Sequence, residues 1–181
     1  MDPFTDISQL VSGEKKIIDL GSGRSDFIPS LIEECVTAGG DCSGLHAVDF
    51  SYIETKATSS ATARNLGSYL FRYPDNFHGQ LFQQLDIQLQ GQKILFDEAV
   101  SSSSLMYVLE KAPIEECELI LSQILGHLSP QGYLRIWKDG HGDWERVFQK
   151  IHPFLKEQLI AGEISNYSLP LPNWDAFVLA K

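Results

Sequence analysis

Apolar positions gather in six short runs along the chain: residues 16–20 (KIIDL), 44–50 (GLHAVDF), 80–87 (QLFQQLDI), 96–102 (FDEAVSS), 132–137 (GYLRIW) and 176–180 (AFVLA). Each run is bounded by Gly, Asp, Ser or Pro, which end extended segments and open turns, so the pattern predicts six strands. The stretches between them have helical periodicity. Phe27, Ile28, Leu31, Ile32 and Cys35 fall on one helical face, with Pro29 in the first turn, where its missing N–H costs little. Residues 61–73 form a weaker helical pattern interrupted by Gly67. Residues 113–128 open on Pro113, place Glu115 and Glu116 where the helix dipole favours acids, and carry Leu119, Ile120, Ile124 and Leu128 on the apolar side. Residues 144–159 predict a further helix, kinked or broken at Pro153.

Strands alternating with helices predict an α/β protein in which a parallel sheet carries helices on both faces. The last apolar run follows a Pro-rich turn (LPLP, 169–172), so it is expected to enter the sheet antiparallel and make it mixed. No repeat, low-complexity tract or long linker divides the 181 residues, and the expectation is one domain over 1–181. No run approaches the roughly 18 apolar residues of a membrane span. The amino terminus (MDPFTDISQL) has neither a basic nor an apolar leader region, so a cytoplasmic location is expected.

Charge narrows the partners. A net charge of -10 works against capture of a phosphate backbone, and so against nucleic acid as a partner. Three cysteines, Cys35, Cys42 and Cys117, without a CxxC spacing suit free thiols rather than a disulfide framework, and no histidine pair has metal-ligand spacing.

The stretch KKIIDLGSGRSDF (15–27) carries the clearest chemistry. A strand running into Gly-Ser-Gly and then a helix is a nucleotide-binding turn, in which glycines let the backbone approach a ligand. The dinucleotide fingerprint needs a third glycine where this chain has Asp26, a carboxylate that would repel a pyrophosphate at the helix start. Asp19, two residues before Gly21, suits a cationic amine instead. Three acids, Asp19, Asp49 and Asp86, close the first three predicted strands, where open α/β sheets bind ligands, and suit hydrogen-bond donors.

With this acid followed by Gly-x-Gly, the chain resembles the class I S-adenosylmethionine-dependent methyltransferases, from about residue 15 to 181. LHAVDFS looks like the family's second motif, QQLDIQ is similar to the third, FDEAVSSSSLMYVL looks like the fourth, and LSPQGYLRIW matches the turn into strand five. The resemblance implies a Rossmann-like three-layer sandwich with a mostly parallel twisted sheet and an antiparallel C-terminal strand. It implies S-adenosylmethionine as cofactor, contacted by Asp19, Gly21, Ser22, Gly23, Asp49, Phe50, Asp86, Ile87 and Ser101, with Asp49 on the ribose hydroxyls and Phe50 on the adenine. The chain departs from the family at Ser25, often a glycine, and at Ser101–Ser104, which replace the Asn/Asp-Pro-Pro-aromatic signature of enzymes acting on exocyclic or side-chain amide nitrogens.

Because the cofactor brings an activated methyl group, positioning the acceptor and excluding water can suffice for transfer. Tyr107 and His141 are the catalytic candidates, Tyr107 as a pocket wall and His141 as a base near Asp139 and Asp143. The expected acceptor is a small molecule, ahead of a protein. The alternative is a methyltransferase-like binding or scaffolding domain without turnover.

Overall fold

Ile17–Leu20 (β1) and Leu45–Val48 (β2) are four-residue strands buried at every position, as expected of parallel strands covered on both faces. The computed structural model describes residues 7–22, 26–50, 52, 68–101, 104–137, 143–168 and 176–181. The remaining strands are Phe77–His78 (β3), Gln88–Leu89 (β4), Gln92–Lys93 (β5), Phe96–Ser101 (β6), Leu128–Trp137 (β7), Asn166–Ser168 (β8) and Ala176–Ala180 (β9). Seven of them form one sheet in the order β3-β2-β1-β6-β7-β9-β8, and β4 and β5 make a separate hairpin. β1 pairs in parallel with β2 and β6, β2 with β3, and β6 with β7, whereas β9 runs antiparallel to both β7 and β8. The sheet is therefore mostly parallel with antiparallel C-terminal strands, in keeping with the Pro-rich turn before β9. Successive strands leave β1 on one side toward β3 and on the other toward β7, so a crevice opens beyond the carboxyl ends of the central strands.

Helices Ile7–Val11 (α1) and Phe27–Thr37 (α2) lie with one core, in which Ile17, Leu45, Tyr52 and Phe77 meet Ile28 and Ile32. Helices Ser104–Lys111 (α3), Ile114–Gly126 (α4) and Trp144–Ala161 (α5) enclose the larger core on the opposite face, with Ile18, Leu20, Phe96, Leu105, Ile120, Ile151 and Phe177. Alternation along β1 explains the division: Ile17 and Asp19 face α2, Ile18 and Leu20 face α3 to α5.

Three sequence expectations need correction. The third strand is not 80–87 but Phe77–His78, because only Ala47 and Val48 of β2 offer it ladder partners. Residues 80–87 instead close into a loop around a 3-10 turn at Phe82–Gln84. The Gln80 side-chain amide donates to the Asp86 carbonyl and accepts its N–H, both at 3.0 Å, while Phe82, Leu85 and Ile87 turn into the core. The helix predicted over 113–128 stops at Gly126, and Leu128 already begins β7. Nor does Pro153 break α5, which continues to Ala161: Pro153 lies on the exposed side, where water can satisfy the Gln149 carbonyl that loses its donor. Asp143 caps the start of α5 by accepting from Arg146 N–H at 3.0 Å, and Gly162 ends it at φ 74°. Of the weaker helix predicted over 61–73, residues 68–72 are helical, and 61–67 lie outside the described residues.

Cys35 and Cys117 are buried free thiols and Cys42 is half-buried. Among the described residues no helix is long and apolar enough to cross a membrane.

Candidate functional site

The chain leaves β1 through Gly21, whose φ of 73° suits glycine. A Cβ there would lie 2.3 Å from Ser104 Cβ and 3.1 Å from Phe82 Cζ, so the position excludes any side chain on two counts. The turn is held from both sides: Gly21 N–H donates to the Val48 carbonyl at 2.8 Å, and Ser104 Oγ donates to the Gly21 carbonyl at 2.7 Å. The bare backbone that results forms one wall of a cleft of about 200 Å³.

The other walls come from the ends of β2 and β3 and from the first turns of α3. Asp49 and Phe50 follow β2, Gln80 to Gln83 follow β3, and Ser104 and Val108 belong to α3. Phe50 is 49% exposed, an apolar ring standing in water at the cleft's edge. A slot of this size holds one flat group; complete ligand pockets run to about 300–1,000 Å³.

Asp19 lies behind Gly21, only 4% exposed, on the α2 face of the sheet. In the ladder it stands opposite Ala47, so Asp49 follows one pleat farther along the neighbouring strand. Burial first, then the Asp49 carboxylate, pushes Asp19 up from 3.8 to about 7. Two hydroxyls occupy the same region. Ser22 Oγ and the Tyr52 hydroxyl are hydrogen-bonded to each other, both buried, with the Tyr52 ring edge-on to Phe77 at 5.8 Å. Burial raises Tyr52 as well, and Asp19 and Asp49 add to that.

Asp19, Gly21, Ser22, Asp49 and Phe50 lie at the carboxyl ends of β1 and β2; Gly21, Asp49 and Phe50 line the cleft, Asp19 and Ser22 are buried behind it, and Gly23 lies outside the described residues. Four expected positions are placed elsewhere. Asp86 is exposed and accepts from Gln88 Nε2 at 2.8 and 3.0 Å; Ile87 is fully buried in the larger core. Ser101 is fully buried and accepts from Leu105 N–H at 3.2 Å at the start of α3, away from the cleft walls. Tyr107 is 61% exposed on α3, with Lys111 Nζ 5.7 Å from its ring centroid. His141 lies outside the described residues.

The misplaced third strand explains the first two. With β3 ending at His78, the residues that follow its carboxyl end are Gln80 and Leu81, and these line the cleft in place of Asp86 and Ile87. The signal was the Gly79 that follows His78. Tyr52 carried no such mark, because its partner Ser22 is 30 residues away.

No protein-family model and no curated protein sequence matches the chain. Solved structures do resemble it. The sugar N-methyltransferase KedS8 from Streptoalloteichus sp ATCC 53650 aligns with a TM-score of 0.55 at 12% identity, over 92% of this chain and 80% of that one. The N-methyltransferase NodS from Bradyrhizobium japonicum WM9 aligns with a TM-score of 0.50 at 13% identity, over 96% and 90%. DesVI from Streptomyces venezuelae aligns with a TM-score of 0.43 at 16% identity, and this chain spans 49% of its length. The fold is that of the class I methyltransferases, Rossmann-like with antiparallel strands at the C-terminal end of the chain.

Proposed function

We propose that this protein is a methyltransferase that uses S-adenosylmethionine to modify a small-molecule acceptor. The observation that carries this reading is a buried carboxylate, Asp19, raised by burial and by Asp49 and offset by no cation among the described residues, beside a cleft walled by bare glycine backbone. Such a site suits a ligand that brings its own positive charge, and it is hostile to a pyrophosphate. S-adenosylmethionine supplies, when bound, a methyl group already activated on a sulfonium.

The chain's own residues fit that ligand. Asp49 offers a carboxylate to vicinal hydroxyls, Phe50 and Leu81 offer apolar surface to a flat base, and Asp19 offers negative charge to the cationic end. Gly21 lets the ligand pass close to the backbone, and Ser104 holds that turn in place. The fold shared with two N-methyltransferases over more than nine-tenths of the chain supports the reading.

Titration calorimetry with S-adenosylhomocysteine, with NAD as the control, tests it. The expected result is a dissociation constant near micromolar, about -8 kcal/mol, followed by formation of S-adenosylhomocysteine when the protein meets S-adenosylmethionine and fractions of a small-metabolite pool. Binding of NAD in preference to S-adenosylhomocysteine would remove this function from consideration.

A further inference from the structure

The same site has a property that its fold does not dictate. Asp19 is enclosed by Asp49 from the end of β2, by the hydrogen-bonded hydroxyls of Ser22 and Tyr52, and by apolar Val100 across the ladder on β6. The helix layer on this face contributes Ile28, Leu31 and Ile32, all apolar. Among the described residues the next ionisable group on this face toward the amino end is Glu98, and both Lys15 at 2.7 Å and Arg135 at 3.5 Å, the latter opposite Val100 in the row of Asp19, are already committed to it.

We infer that a cationic nucleoside ligand enters this site by displacing a proton from Asp19, so that ligand binding and proton release are one coupled event. The inference rests on the methyltransferase reading of the site. Without ligand, the burial of Asp19, and then the Asp49 carboxylate at the cleft beside it, disfavour ionisation of Asp19. Asp19 then keeps its proton up to about pH 7. An ammonium or sulfonium brought alongside reverses the balance: the Asp19 O–H bond breaks, the proton passes to the buffer, and the carboxylate pairs with the ligand cation. The ligand cation takes the place of the proton at Asp19, and one proton leaves for each ligand bound by the protonated form.

Calorimetric titration of the full chain with S-adenosylhomocysteine at pH 6.5, in phosphate and in Tris, measures this directly, because the two buffers take up a proton with very different heats. The expected result is an apparent enthalpy that differs between the buffers by more than half a proton's worth at pH 6.5 and by almost nothing at pH 8.5. The dissociation constant should rise about tenfold for each pH unit below pH 6.5 and level off above pH 8. Adenosine, which carries no cation, should bind without buffer dependence. Asp19→Asn should abolish the proton release. If that variant fails to fold, the pH profile of the wild-type dissociation constant still decides. Tight binding with equal heats in both buffers, or equal proton release by adenosine, overturns the coupling and leaves the methyltransferase reading intact. No binding of S-adenosylhomocysteine at any pH overturns both.

Discussion

Two buried carboxylates sit one pleat apart on the same face of the sheet, and the protein treats them in opposite ways. Glu98, opposite Ile17 in the β1–β6 ladder, is 1% exposed and lies between Lys15 at 2.7 Å and Arg135 at 3.5 Å. The Arg135 guanidinium is itself held between Tyr133 and Trp137, 5.2 and 5.1 Å from their ring centroids. Asp19, two residues beyond Ile17, is 4% exposed with another carboxylate as its neighbour and no such cation among the described residues. Exposure is similar at the two places, and among the described residues the neutralising partner sets them apart. The amino end of this face carries its own cations, although neither Glu98 oxygen has a hydrogen-bond partner, whereas among the described residues the carboxyl end has none.

Breaking the amino end should have the larger cost. Lys15→Met removes the nearer cation from Glu98 and is expected to destabilise the fold by about 4 kcal/mol at pH 7, the usual loss when one partner of a buried pair is removed. Urea denaturation measures it, and adding Glu98→Gln to the same chain should recover most of the loss. A loss that persists in the double variant would assign Lys15 a packing role instead.

The carboxyl end should respond in the other direction. Asp19 binds its proton more tightly in the folded chain than in the unfolded one, so its contribution to stability is fully present below pH 3.8 and is lost as pH rises to about 7. A shift of about three pH units corresponds to a deficit on the order of 4 kcal/mol above pH 7, an upper figure because relaxation and water entry soften it. Asp19→Asn, which stays neutral, should therefore stabilise the ligand-free protein at pH 8, by somewhat less than Lys15→Met costs, and do nothing at pH 4. Denaturation at the two pH values checks this. A variant less stable than wild type at pH 8 would mean that the Asp19 carboxylate is already neutralised in the ligand-free state.

Much of this contrast is legible in the order of the amino acids. The acid and glycine turn at 19–22, the acid ending LHAVD, and the helix opening on Phe27 follow from local periodicity and turn chemistry, and strands β1 and β2 and helix α2 lie where the pattern placed them. β3 is not legible, because a strand of two residues has no period to detect, and the apolar spacing of Leu81, Leu85 and Ile87 imitates a longer one. Asp86 is misplaced with it. α3 escapes notice because its eight residues begin inside a serine run, and Ser101, read as a ligand contact, is occupied with the N–H of that helix's second residue. The Glu98 cluster joins residues 15, 98 and 135, and no short-range pattern could assemble it.

The smallest expected effect isolates the one group at the carboxyl end that no sequence pattern singles out. Tyr52→Phe keeps the ring against Phe77 and removes only the hydroxyl bonded to Ser22. Loss of one buried hydrogen bond should cost about 1 kcal/mol of stability. If the hydroxyl pair only fills space, nothing else should change. If it fixes the turn that carries Gly21 and Ser22 beside Asp19, affinity for S-adenosylhomocysteine should fall about tenfold while Ser22→Ala gives the same loss and the double variant adds no more. Additive losses in that cycle would separate the two hydroxyls, and the contrast with Glu98 would then rest on Asp19 and Asp49 alone.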